Sequence, residues 1–233
     1  MIFRQLFDAE SCTYTYLLGD EKSSEALLID PVIDQLDGYL TLLEQLSLKL
    51  TVAVDTHTHA DHITALGALR EKTGCKAMLG KQAVATCVSA NFDDGEIIHV
   101  GDLQVKALYT PGHTDDSYSF YLLDNEQPIL FTGDTLLIRG SGRTDFQNGD
   151  ASVQYHSLFE MLLNFPDQTL VYPAHDYKGW TVTTIAEEKA HNPRLQVENE
   201  QAFIRLMDNL KLPSPKMMDV AVPANRACGR VTD

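Results

Sequence analysis

Three of the chain's eight histidines fall within six residues, in Thr56-His57-Thr58-His59-Ala60-Asp61-His62. The run follows Leu50–Val54, an apolar, β-branched stretch that reads as a buried strand. Where a strand runs out, its two-residue period puts His57, His59 and Asp61 on one side. A chain turning toward a helix at His62 aims a fourth polar group at the same point. Imidazoles and a carboxylate converging in this way suit zinc, iron or manganese rather than a hard cation held by oxygen alone. A capped turn with solvated histidines is the bland alternative, and the density of potential ligands weighs against it.

The rest of the chain supplies partners in a matching local setting. His113 in Thr110-Pro111-Gly112-His113, Asp134 in Phe131-Thr132-Gly133-Asp134 and His175 in Tyr172-Pro173-Ala174-His175 each sit just beyond a predicted strand, beside a small or turn-forming residue. Singly each is a weak signal; as an ordered set they are strong. His99, His156 and His191 lack that setting and are assigned to the surface or to helix packing.

Strands are expected over Ile2–Phe7, Thr13–Leu18, Ala26–Ile29, Leu50–Val54, Lys76–Leu79, Glu96–His99, Leu103–Tyr109, Ser117–Leu123, Ile129–Phe131 and Leu170–Tyr172, broken by turn-formers such as Asp30-Pro31 and Asp124-Asn125. Helical spacing appears from Leu36 to Leu46, over Ile63–Lys72, Gln82–Ser89 and Ser152–Leu163, and near Thr184–His191 and Gln201–Asn209. Pro213, Pro215 and Pro223 predict an irregular tail that wraps the surface. This order suits an α+β chain with two sheets flanked by outer helices. A length of 233 residues fits one domain, a core over about 1–180 with an extension over about 181–233.

A net charge of −15 repels phosphate backbones and anionic headgroups, which argues against nucleic acid and membrane surfaces as partners. No stretch is long and apolar enough to span a membrane, and Met1–Phe7 lacks the pattern of a secretion signal, so a cytoplasmic protein is expected. Cys12, Cys75, Cys87 and Cys228 form no C-x-x-C pair. The expectation is four reduced, mostly buried thiols and no disulfide framework.

The series H-x-H-x-D-H, P-G-H, T-G-D and P-A-H resembles the metallo-β-lactamase superfamily, which implies an αββα sandwich with its ligands at one edge. Within it, two readings compete: a dinuclear thioester hydrolase similar to glyoxalase II, and a mononuclear iron persulfide dioxygenase. All seven ligands of a dinuclear site are present, so the ligands alone do not decide. Arg139–Gln147, His175–Gly179, Asn192–Leu195 and the ending Ala221–Asn225 with Cys228-Gly229 look like persulfide dioxygenase signatures. The 58 residues after His175 are also fewer than a glyoxalase II usually adds.

That resemblance implies that His57, His113 and Asp134 hold one Fe(II) per chain, with His59, Asp61, His62 and His175 around them. It marks Tyr177 and Arg194 as contacts for glutathione persulfide, which O2 would oxidise to sulfite and glutathione. A metal-sensing or scaffold protein would be expected to have damaged ligands, and none is damaged. Whether the chain forms a homodimer stays open.

Overall fold

The computed structural model describes residues 1–85, 87–123, 126–213 and 217–230. The chain folds into two six-stranded sheets packed face to face, with helices on the outer faces. The first sheet contains β1 (Ile2–Asp8), β2 (Thr13–Gly19), β3 (Glu25–Ile29), β4 (Lys49–Val54), β5 (Lys76–Gly80) and β6 (Ala90–Phe92), in that spatial order. Two helices, α1 (Leu36–Gln45) and α2 (Leu66–Thr73), cover it. The second sheet runs in the order β12-β11-β10-β9-β8-β7. Its strands are β7 (Ile97–Val100), β8 (Leu103–Tyr109), β9 (Tyr118–Leu122), β10 (Ile129–Gly133), β11 (Leu170–Pro173) and β12 (Thr183–Thr184).

The pattern of β2 shows why both sheets must be covered on both faces. All seven of its residues are buried. Tyr14, Tyr16 and Leu18 enter the layer between the sheets with Val54, Phe92, Phe120 and Phe131, while Leu17 joins the outer layer with Tyr39, Leu43, Leu66 and Leu69. Period-two alternation between two apolar layers yields a continuous apolar run. The opposite outer layer, around Leu130, Leu158, Ile185 and Phe203, lies under α3 (Ala151–His156), α4 (Ile185–His191) and α5 (Glu200–Asp208). These three helices open on Asp150, Thr184 and Asn199, whose side chains accept the amides of Val153, Glu187 and Ala202. Such caps contribute ~1 kcal/mol each.

Several expectations are corrected. The described residues of Gln82–Ser89, which leave out Thr86, do not form a helix: Ser89 N donates to Ala77 O and Lys81 N to Phe92 O, so the chain is held alongside β5 and returns as β6 in parallel. The helix expected at Ser152–Leu163 starts one residue earlier and is interrupted, with α3 passing into a π turn at Ser157–Met161 and a 3-10 turn at Leu162–Asn164. The tail carries a further helix, α6 (Met218–Arg226), with Pro223 inside it. Proline forfeits one backbone bond there, and burial of Ala221, Ala224 and Asn225 holds the helix in place. Asp124, Asn125 and Pro215 lie outside the described residues.

The cysteine expectation is also overturned for one pair. Cys87 and Cys228 are bonded, 141 residues apart, whereas Cys12 and Cys75 are free. Sequence spacing carries no information about cysteines that only tertiary folding brings together. Closing so long a loop stabilises a fold by ~2–4 kcal/mol, so Cys228→Ser is expected to lower the unfolding free energy by about that amount. Thiol labelling of denatured protein should find two reactive cysteines before reductant and four after it; four before reductant would refute the bridge.

Candidate metal centre

The ligand loops meet because of where their strands end. Strand β4 runs into Asp55 and Thr56 and then the histidine cluster. β10 and β11 are parallel, so Asp134 and His175 leave the second sheet at the same end. His113 follows β8 through Pro111 and Gly112. Gly112 has φ +131, and a Cβ there would come within 2.4 Å of the backbone of Gln154, so only glycine lets this loop pass α3.

All seven expected ligands come together, in two groups. Donor atoms of His57, His113 and Asp134 lie within 4.8 Å of one another, and so do those of His59, Asp61, His62 and His175. In the first group each residue has one heteroatom tied to an outside partner and one left over. His57 Nδ1 lies 2.9 Å from Thr56 Oγ1, His113 Nδ1 2.7 Å from Arg143 O, and Asp134 Oδ1 2.7 Å from His175 Nδ1. A carbonyl only accepts, so His113 carries its proton on Nδ1 and presents a bare Nε2. His113 Nε2 and Asp134 Oδ2 are then 3.6 Å apart, with nothing between them in the chain.

The second group is more heavily bonded, with His175 fully committed. Asp61 Oδ2 accepts from His62 Nδ1 and from His175 Nε2, both at 2.9 Å. His175 thus has a carboxylate on each ring nitrogen, and His59 Nε2 faces Asp30 Oδ1 at 3.1 Å. Only His59 Nδ1 and His62 Nε2 remain as buried ring nitrogens without a partner among the described residues.

The electrostatics match this division. Burial, then the neighbouring imidazoles His59 and His113, pushes His57 well below the usual histidine range, so it is neutral and able to coordinate. Burial opposes charge on Asp134, but His175 outweighs it and holds the carboxyl well below its ordinary value. Burial likewise opposes charge on His175, and the carboxylates of Asp134 and Asp61 hold it well above its own. The imidazolium of His175 therefore sits between two carboxylates.

This arrangement predicts a pH signature in metal-free protein. Asp134 and Asp61 are depressed, so their stabilisation is present above the unfolded value of ~3.9 and is lost as pH falls through the folded values. His175 is raised, so its stabilisation is complete below ~6.5 and is lost as pH rises through its folded value. The stability difference between wild type and His175→Gln, from urea unfolding, is expected to be greatest between about pH 4 and 6.5. A difference that grew steadily above pH 7 would contradict the arrangement.

The loop over residues 140–149 braces the first group. A Cβ on Gly142 would lie 2.6 Å from the His113 ring, so that backbone lies flat against the ligand. Arg194 Nη1 reaches the carbonyls of Ser141 and Gly142 and the Ser141 hydroxyl. Tyr177 stacks its ring parallel to His175 at 6.2 Å and is 70% exposed. His99, His156 and His191 lie at the surface, as expected.

Sequence reasoning missed three contributors. Asp30, at the end of β3, accepts Thr56 N and Thr56 Oγ1 beneath the cluster. Thr13 approaches Asp61, His62 and His175. Asn225 Nδ2 donates to His59 O and His62 O, while its Oδ1 accepts from Thr64 N. Of these, only Asn225 lay in a stretch already singled out.

The metallo-beta-lactamase superfamily model matches residues 13–86 and 82–175. The mouse protein named persulfide dioxygenase ETHE1, mitochondrial, is 48% identical over 98% of this chain and 89% of its own length, and the human one is 46% identical over the same shares. The crystal structure of ETHE1 from Myxococcus xanthus superposes with a TM-score of 0.95 at 56% identity, covering 99% of this chain and 100% of that one. The chain belongs to the persulfide dioxygenase family. A probable hydroxyacylglutathione hydrolase from Schizosaccharomyces pombe is 34% identical over 70% of this chain and 64% of its own length, a weaker likeness. The αββα sandwich is thus as the resemblance implied. The mammalian relatives are named as mitochondrial. No helix among the described residues is long and apolar enough to cross a membrane.

Proposed function

We propose that this chain is a mononuclear non-haem Fe(II) dioxygenase that oxidises glutathione persulfide with O2 to sulfite and glutathione. The observation that carries the reading is the commitment of His175: His57, His113 and Asp134 each keep one free donor atom, while both ring nitrogens of His175 are bonded to carboxylates. Two imidazoles and one carboxylate are the donor set of non-haem iron oxygenases. A two-metal hydrolase would need His59, Asp61, His62 and His175 as a second set, and in that set both nitrogens of His175 are already bonded to carboxylates. His57, His113 and Asp134 would hold the Fe(II), which would supply the redox chemistry between O2 and the persulfide sulfur.

The chain's own residues do the rest. Thr56 and the Arg143 carbonyl fix the two imidazoles, and His175 keeps Asp134 ionised and oriented. Tyr177 offers an exposed ring and phenol beside His175. Arg194 pairs with no carboxylate among the described residues, which leaves its Nε and Nη2 for a carboxylate of glutathione. The net change is RSS⁻ + O2 + H2O → RSH + SO3²⁻ + H⁺. The sulfane sulfur supplies all four electrons, so neither 2-oxoglutarate nor an external reductant is required.

An oxygen electrode tests the proposal. Uptake is expected in proportion to glutathione persulfide, with sulfite formed, no uptake with glutathione alone and no hydrolysis of S-lactoylglutathione above background. Efficient thioester cleavage with oxygen untouched would restore the hydrolase reading. The cytoplasmic location belongs to the same proposal, and fractionation of the source cells tests it.

A further inference from the structure

The turn between β1 and β2 reaches the ligand loop that carries His175. Thr13 forms an isolated antiparallel bridge with His175, Tyr14 N donates to Ala174 O, and Asp176 N donates to Cys12 O. The first sheet is thereby joined to the loop that carries His175. The hydroxyl of Thr13 is fully buried and lies 3.1 Å from His175 Nε2, 3.2 Å from His62 Nδ1 and 2.7 Å from Ser11 Oγ.

The direction of these bonds follows from what each group can donate. Ser11 Oγ donates to Asp8 Oδ2 at 2.7 Å, and Asp8 is held in place by Gln35 Nε2 on its other oxygen and by Ser11 N. With its only proton committed to Asp8, Ser11 Oγ must accept from Thr13. The proton of Thr13 goes to Ser11 at 2.7 Å rather than to the more distant Asp61 Oδ2 at 3.3 Å, and its lone pairs face His62 Nδ1 and His175 Nε2. Both of those nitrogens must carry hydrogen. For His62 this selects the Nδ1–H tautomer and leaves Nε2 bare, in agreement with its standing as a buried nitrogen without a partner.

We propose that Thr13 is a positioning residue for the reaction: its hydroxyl, polarised through Ser11 by Asp8, locks His175 against Asp134 and so keeps the free carboxylate oxygen aimed at the metal position. Apart from Thr13, His175 Nε2 rests on Asp61 Oδ2 at 2.9 Å, a side chain that is partly exposed. A third, neutral acceptor on Nε2 fixes the plane of the ring. The chain Asp8–Ser11–Thr13–His175–Asp134 thus carries rigidity from the edge of the first sheet to a ligand on the second.

The proposal rests on the mononuclear reading for its turnover readout, so the test has an arm that does not. Thr13→Val keeps the shape and removes the hydroxyl, while Thr13→Ser keeps the hydroxyl. In metal-free protein with 15N-labelled histidine, the Nε2 proton of His175 is expected to exchange with water about tenfold faster in Thr13→Val, the size of one lost hydrogen bond, and to recover in Thr13→Ser. In iron-loaded protein, Thr13→Val should retain metal and lose about tenfold or more in kcat, with KM little changed. Native exchange in Thr13→Val would overturn the proposal, as would a Thr13→Ser variant as impaired as Thr13→Val. Wild-type protein that consumed no oxygen with persulfide would sink the parent reading but leave the exchange comparison decisive for Thr13.

Discussion

His57→Ala, His113→Ala and Asp134→Ala are each expected to drop bound iron from one per chain toward zero and to abolish persulfide-dependent oxygen uptake. His59→Ala should keep most of the metal and lose ~10–100-fold in turnover, the usual cost of removing a residue that orients ligands from behind. The contrast follows from geometry. Each of the first three residues presents the one atom it has free, and a site of three ligands does not survive the loss of one. His59 hydrogen-bonds Asp30 through Nε2, and its loss leaves the three donor atoms in place. Metal analysis of purified variants against protein concentration decides the matter. Two tightly held metals per native chain, or a His59→Ala variant as empty as His113→Ala, would show that the second group also coordinates.

The legible part of this site was the part encoded locally. His57–His62, His113, Asp134 and His175 each follow the end of a strand, and the strands announce themselves by apolar, β-branched runs. Once β4, β10 and β11 lie in sheets, their ends deliver the ligands without further instruction. Two long-range features escaped because no local pattern encodes them. Asn225 satisfies three backbone groups of the histidine loop from 161 to 166 residues away. Its stretch was noticeable, but an asparagine in a proline-containing tail says nothing about which carbonyls it will meet. The pairing of Cys87 with Cys228 is hidden for the same reason.

The errors in secondary structure share a cause. Gln82–Ser89 has helical composition, but its two ends are tied into the sheet edge, Ser89 N to Ala77 O and the preceding Lys81 N to Phe92 O, and tertiary pairing prevails over propensities worth tenths of a kcal/mol per residue. In the tail, Pro223 weighs against a helix locally, yet Ala221, Ala224 and Asn225 are buried, Asn225 is bonded to the histidine loop and Cys228 O accepts from Gly67 N of α2. The C-terminal stretch reads as irregular on its own and as part of the site once folded.

Arg194 yields the second large expected effect. Its Nη1 is occupied by the Ser141 and Gly142 carbonyls, while Nε and Nη2 have no partner among the described residues. Burial also pushes its guanidinium below the ordinary value, a penalty that an incoming carboxylate would offset. Glutathione persulfide brings two carboxylates to a chain of net charge −15, so binding depends on local cations. Arg194→Ala is therefore expected to raise KM for glutathione persulfide by about tenfold or more while iron content is kept and kcat changes less. Tyr177→Phe should do less, since it removes one hydrogen bond and keeps the stacked ring. The bracing role of Nη1 has to be separated from the binding role, because a looser Ser141–Gly142 backbone would disturb His113 for every substrate alike. A small alkyl persulfide with no carboxylate makes the separation. If Arg194 binds glutathione, the variant loses affinity for glutathione persulfide and handles the alkyl persulfide as wild type does. Equal losses on both substrates, or reduced iron content, would assign Arg194 to holding the loop against His113 and would move the glutathione site elsewhere.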